Sequence, residues 1–214
     1  MRYATKRYYD WTANIGYAVG LMASDGCLIS DGRHLDLTSV DIDQLENFSQ
    51  AMGRNLKITS KFNLNKQPAY RIQFSDVAFY DFLLAAGLTP NKSLTIEQVN
   101  VPDIYYADFL RGLFDGDGST YAYNDPRWPN SFLYYICFTS GSRKFIEHIS
   151  AKNQRLIGVA GSSIRKSPRA FTLAYGKKDS LLLYKFMYYE PTVISLGRKR
   201  LKLESFIKKD SMLK

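Results

Sequence analysis

The sequence nearly repeats itself. "YAVGLMASDGCL" (17–28) and "DFLRGLFDGDGST" (108–120) each run an apolar, glycine-bearing segment into an Asp-Gly pair, and Asp25 and Asp117 lie 92 residues apart. Two copies of one unit constrain a fold more than any local propensity, because both must adopt the same structure. With Asp25-Gly26 set on Asp117-Gly118, "LTSVDIDQLENFSQAMG" (37–53) answers "FTSGSRKFIEHISAKNQ" (138–154). In each, a Thr-Ser pair closes an apolar strand, and Asp41 or Ser142 stands where a helix N-cap belongs. Leu45 and Phe48 in one copy, and Ile146 and Ile149 in the other, follow the cap along one helix face. Alternating strands begin 29 residues after each cap, at "YRIQFS" from Tyr70 and "FTLAYG" from Phe171, and helices are predicted over 76–86 and 178–188.

Each half therefore reads helix, strand, strand, helix, strand, strand, helix. The predicted fold is α+β: two pseudo-symmetric αββαββα repeats, 1–90 and 103–214, joined by a linker over 91–102. Asp31-Gly32 predicts a two-residue hairpin turn between strands 27–30 and 34–39. The matching hairpin is about nine residues longer and carries "NDPRWPN" (124–130), whose prolines predict a protruding loop exposing Trp128. Gly20 and Gly112 lack side chains, so the two motif helices can approach closely and cross at the pseudo-twofold axis. Gly26 and Gly118 are expected to end those helices in the left-handed conformation.

Such a crossing brings Asp25 and Asp117 together. Two carboxylates at negative helix ends repel unless a cation intervenes, and a hard divalent ion with oxygen ligands suits them. Carboxylates bridged by such ions can activate water and stabilise the leaving oxygen of a phosphodiester. Alone, either Asp-Gly would be an ordinary helix stop; two in register are not. The charge distribution agrees with a polyanionic partner. Residues 1–151 hold 14 Lys and Arg against 16 Asp and Glu, whereas residues 152–214 hold 15 against 4. A solubilising surface would account for that excess equally well.

The motifs "AVGLMASDG" (18–26) and "LRGLFDGDG" (110–118) resemble the two signature motifs of LAGLIDADG homing endonucleases, and the repeats extend the likeness over nearly the whole chain. The first copy departs at Ala18, Val19, Ala23 and Ser24. The sixth motif position is Asp115 in one copy and Ala23 in the other. The resemblance implies a saddle of antiparallel sheets with the motif helices at the central interface. It implies metal binding by Asp25 and Asp117, with the backbone carbonyls of Ser24 and Gly116 assisting. It also implies active-site lysines, Lys92 in "GLTPNKS" and Lys199 in "SLGRKRLKLESF", though Lys199 could equally be a general phosphate clamp. The expected cofactor is Mg²⁺, with Mn²⁺ or Ca²⁺ able to substitute for binding. The expected activity is site-specific hydrolysis of double-stranded DNA across the minor groove, by a monomer, at a long asymmetric site. The rivals are a maturase binding intron RNA and a non-cutting DNA-binding protein on the same scaffold.

Strand alternation nominates the DNA-binding residues. In the first half these are Arg33, His34, Asp36, Thr38, Lys57, Thr59, Lys61, Arg71 and Gln73; in the second, Tyr121, Tyr123, Arg127, Trp128, Arg165, Lys166, Arg169, Arg198 and Arg200. Arg pairs with guanine and Gln with adenine in the major groove, but bases on exposed strands also contact phosphate alone. Most of the tyrosines, Tyr17 and Tyr80 among them, read as core. His34 and His148 are isolated and form no nucleophilic or zinc arrangement. Apolar residues at 45% exclude a disordered chain. No apolar run approaches the roughly 20 residues of a membrane span, and no secretory signal opens the sequence. Cys27 and Cys137 fit a reducing compartment, so the expected setting is intracellular: cytoplasm or nucleoid of a prokaryote, or an organelle. The ends of the chain predict a free-standing or intron-encoded protein rather than an intein.

Overall fold

The computed structural model describes residues 8–62, 68–127, 131–159 and 162–213. The first half runs α1 (Ala13–Ser24), β1 (Gly26–Leu28), β2 (His34–Ser39), α2 (Ile42–Ala51), β3 (Ile58–Phe62), β4 (Pro68–Ser75) and α3 (Val77–Ala85). The second runs α4 (Tyr106–Asp117), β5 (Gly118–Asn124), β6 (Phe132–Ser140), α5 (Arg143–Ile157), β7 (Ser162–Lys166), β8 (Phe171–Tyr175), α6 (Lys177–Met187) and α7 (Gly197–Met212). The strands form two antiparallel sheets of identical topology, β1-β2-β4-β3 and β5-β6-β8-β7. The α+β repeat architecture is as expected, with one addition. The helix α7 has no counterpart in the first half and buries Leu203 beside β5 and β6.

Both motif helices are buried nearly all round, and they cross where the glycines stand. A Cβ on Gly20 would lie 2.2 Å from the Phe109 carbonyl oxygen, and one on Gly112 would lie 2.2 Å from that of Tyr17. No other residue permits this approach, which joins the halves into one continuous core. The connection between the halves belongs to that core, burying Ile96, Val99 and Val101. Among the described residues, no helix is long and apolar enough to cross a membrane.

Three local expectations are corrected. Gly26 and Gly118 are not left-handed; Gly118 is extended (φ −76°, ψ 151°) and opens a strand directly after its helix, and Gly26 opens one after the single residue Asp25. Glycine is required there by space, since a Cβ would meet the Met22 Cα or the Phe114 Cα at 2.6 Å. Asp31-Gly32 lies within a longer loop, closed by Ile29 N–H donating to the His34 carbonyl. The Asp31 carboxylate organises this loop by accepting from the amides of Arg33 and His34. Finally, most of the extra length of the second hairpin is paired strand. β5 and β6 have seven and nine residues where β1 and β2 have three and six. Trp128 lies outside the described residues.

Candidate active site

The motif helices end side by side. A Cβ on Gly116 would lie 1.9 Å from Ser24 Oγ and 3.0 Å from Asp25 Oδ2, so the backbone of one motif rests on the acid of the other. Asp25 is half-buried and accepts from Gln44 Nε2 at 2.5 Å; Ser39 Oγ in turn holds Gln44 Oε1 at 3.1 Å. Burial pushes the Asp25 carboxyl up, while Gln44, Lys199 and Lys92 oppose the shift. Asp117 is reached by water but ringed by protein. The loss of solvent, followed by the negative charge of Asp25, pushes its carboxyl up to about 6. The negative charge of Asp25 thus raises the cost of ionising Asp117, which a cation placed between them would relieve.

The lysines occupy matching places. Lys92, 4% exposed, donates to the Gly26 carbonyl at 2.5 Å and approaches that of Ser24 at 3.5 Å. Lys199, 8% exposed, donates to the carbonyls of Phe114, Gly116 and Gly118 at 2.9, 2.7 and 2.6 Å. Each lysine thus grips the exit of its own motif. Burial lowers both, Lys199 to about 8, against the pull of neighbouring acids.

The donor set fits a hard divalent ion. Among the described residues no cluster of three or more His, Cys, Asp or Glu could cage a metal. An ion would therefore rest on Asp25, Asp117 and the free lone pairs of the Ser24 and Gly116 carbonyls. Water and phosphate would complete the shell, which is the coordination Mg²⁺ favours.

Strand register sorts the nominated surface residues. Asp36 stands opposite Gln73, and Thr38 and Thr59 both stand opposite Arg71, so these share the open face of the first sheet with His34 and Lys61. They form a network: Arg71 ion-pairs with Asp36, and Lys61 Nζ donates to Thr38 Oγ1 at 2.9 Å. Arg33 is exposed in the hairpin loop, and Lys57 is exposed just before β3. On the second sheet Tyr121 and Tyr123 point outward, as does Arg165 opposite Thr172. Lys166, the next residue, takes the other face, and Arg169 is exposed in the β7–β8 turn. Arg127 is held by Asp125, and Arg200 is engaged by Glu204 and the Pro191 carbonyl. Arg198 sits beside the site, paired with Asp41 at 2.7 Å across a cavity of about 580 Å³ that Asp25 and Gln44 also line.

Part of the basic excess of residues 152–214 is taken up in ion pairs within the protein. Lys152 and Arg155 pair with Asp103, and Lys177 with Asp210. Among the described strand residues facing outward on the second sheet, Arg165 is the sole base.

Two residues near this surface escaped the sequence reading. Gln44 falls on the buried face of α2 with Leu45 and Phe48, and a glutamine in that stripe was the available signal. Tyr135, opposite Tyr121, stacks on it at 4.8 Å; alternation along "FLYYICFTS" would have found it.

Two four-stranded sheets hung on a glycine-packed helix pair, with an acid from each helix at the seam, define a duplicated LAGLIDADG-type architecture. Residues 105–186 match the family model of a LAGLIDADG-like domain. The fold is similar to that of the homing endonuclease I-WcaI bound to its DNA recognition sequence (TM-score 0.65, 14% identity, covering 90% of this chain and 88% of that one). It is also similar to the meganuclease I-SmaMI bound to uncleaveable DNA (0.61, 12%, 96% and 91%). A third likeness is to full-length DUF199/WhiA from Thermatoga maritima (0.58, 12%, 95% and 63%). No protein of curated function matches by sequence. The family match covers residues 105–186, and the first half repeats the same sheet topology, so the chain has a duplicated LAGLIDADG-type fold.

Proposed function

We propose that this protein is a site-specific endonuclease of double-stranded DNA that hydrolyses one phosphodiester in each strand with the help of divalent metal. The carrying observation is the seam: two acids near enough for the charge of one to shift the other, each flanked by a buried lysine docked on its own motif. Asp25 and Asp117, with the carbonyls of Ser24 and Gly116, would hold Mg²⁺, which Mn²⁺ or Ca²⁺ can replace for binding. Bound there, the ion supplies Lewis-acid stabilisation of charge on the phosphodiester. Lys92 and Lys199 place positive charge where negative charge develops, preorganised by the carbonyls that hold them, and can orient the attacking water. Arg198, at the site's edge, neutralises a neighbouring phosphate. The open sheet faces lie along the grooves, with Gln73, Arg71 and Lys61 presented to base edges and phosphates.

Both acids belong to one chain, which supports a monomer acting on an asymmetric site. The proposed setting is intracellular, in a prokaryote or an organelle, with an intron as the encoding element. The shared fold with WhiA supports a second reading, a binding protein for DNA or intron RNA that does not cut. One experiment separates them. Duplexes bound by the protein are selected from a randomised library and then incubated with Mg²⁺. Wild type should cut both strands, whereas Asp25→Asn and Asp117→Asn should lose cutting by at least about a thousandfold while binding within a few-fold. Binding without wild-type cutting supports the second reading.

A further inference from the structure

We infer that the second sheet reads its half of the DNA site through thymine methyl groups, whereas the first sheet reads hydrogen-bonding base edges. This rests on the DNA-binding function proposed above. The length added to the second hairpin carries a tyrosine ladder: Tyr135 stacks with Tyr121 at 4.8 Å and 13°, and with Tyr123 at 6.1 Å and 8°. The faces turned to one another within the ladder are covered, so there the rings offer their edges to a partner. Beyond the ladder, the Thr139 and Thr172 hydroxyls pair with each other at 3.3 Å, so each has a partner within the sheet, and Ala174 on the same face is buried and offers no polar group.

The first sheet is the reverse at the same places. Arg71, opposite Thr38, has Thr172, opposite Thr139, as its counterpart; Gln73 has Ala174. Charged and amide groups on one side thus face methyls and rings on the other. In the major groove the C5-methyl of thymine is the one apolar group that base pairs display. The surface is also placed to reach it. Tyr121 and Tyr123 stand four and six residues beyond Asp117, or about 13 and 20 Å along an extended strand, which spans roughly four to six base pairs from the cut.

The deciding comparison alters the DNA and keeps the wild-type protein. Bound duplexes are selected from a randomised library, and the half-site whose preference relaxes in Gln73→Ala is assigned to the first sheet. Deoxyuridine then replaces thymidine in one half-site at a time, and Kd is measured at fixed salt. Removing methyls from the second-sheet half should weaken binding about fourfold for each methyl in contact, and the other half should change less than about twofold. Tyr135→Phe, which keeps the ring, should preserve this difference. Equal sensitivity of the two halves, or a second half-site indifferent to deoxyuridine, overturns the inference while leaving DNA binding intact. Enrichment of no duplex overturns the DNA-binding function, and the inference with it.

Discussion

At the seam the two motifs share a backbone plan but are supported differently. In the first, Asp25 leans on Gln44, Lys92 makes one short carbonyl contact, and the sixth motif position is Ala23. In the second that position is Asp115, fully buried, whose Oδ2 accepts from Tyr17 O–H at 2.8 Å and Leu196 N–H at 2.7 Å. Leu196 precedes α7, so a buried carboxylate anchors the helix that brings Lys199 to its three carbonyls. Phe145 stands where Gln44 would, three residues past its cap, and no equivalent hydrogen bond to Asp117 forms. What duplication retained is the helix crossing and the lysine-to-carbonyl docking. What diverged is the scaffolding behind each acid, polar and cavity-lined in one half, helical and buried in the other.

The shared part should be the least tolerant. Gly112→Ala and Gly20→Ala both drive a methyl into a facing carbonyl oxygen 2.2 Å away, and neither backbone can retreat without opening the core. Each should cost about 3 kcal/mol or more in denaturant unfolding, by overpacking. Gly197→Ala, with nothing within 4 Å, should be neutral. A wild-type midpoint for Gly112→Ala would mean that the two halves are not held together at this crossing.

The diverged part can be tested through Asp115. Burial pushes its carboxyl up to about 6, and Oδ1 has no partner among the described residues. An acid whose folded-state pKa exceeds its unfolded value holds its proton more tightly when folded. Stability is therefore lost as pH rises from about 4 through 6, and the cost is complete above that. Asp115→Asn keeps an acceptor for Tyr17 and Leu196 without the charge. It should stabilise the protein by about 1–3 kcal/mol at pH 7 and by almost nothing at pH 4. A pH-independent difference would show that folding does not raise the pKa of Asp115.

Legibility in the sequence followed the reach of each constraint. The crossing at Gly20 and Gly112 and the meeting of Asp25 with Asp117 were readable because each is stated twice. The lysines were readable only through family likeness; nothing local marks Lys92 as buried. The helix α7 was hidden by its charges. "GRKRLKLESF" reads as a phosphate clamp, although Leu203, Phe206 and Ile207 supply an inward face. Gly26 and Gly118 were read by backbone preference when the deciding factor was a neighbouring turn of the same helix. The Asp36–Arg71 pair and the tyrosine ladder needed strand register, which no single segment contains. Charge totals overstate the unpaired charge for a similar reason, since pairing with Asp103 and Asp210 is invisible until the helices are placed.

The smallest effects should come from the two helix caps, which hold equivalent positions and do different things. Ser142 Oγ accepts from the Phe145 amide at 3.3 Å, a true cap, and Ser142→Ala should cost about 1 kcal/mol. Asp41 makes no such bond; its carboxylate is turned across the seam to Arg198, whose side chain remains 56% exposed. An exposed pair of this kind contributes well under about 1 kcal/mol, so Asp41→Ala should barely move the melting temperature. Its effect belongs to binding. Released from Asp41, Arg198 can engage phosphate without first giving up a partner, and one negative charge leaves the edge of the DNA-facing site. Affinity for the selected duplex should rise a few-fold at low salt, and the dependence on salt should steepen by roughly one counterion. If Ser142→Ala and Asp41→Ala instead behave alike in both stability and binding, the carboxylate is serving its helix after all, and the divergence of the two halves stops short of their caps.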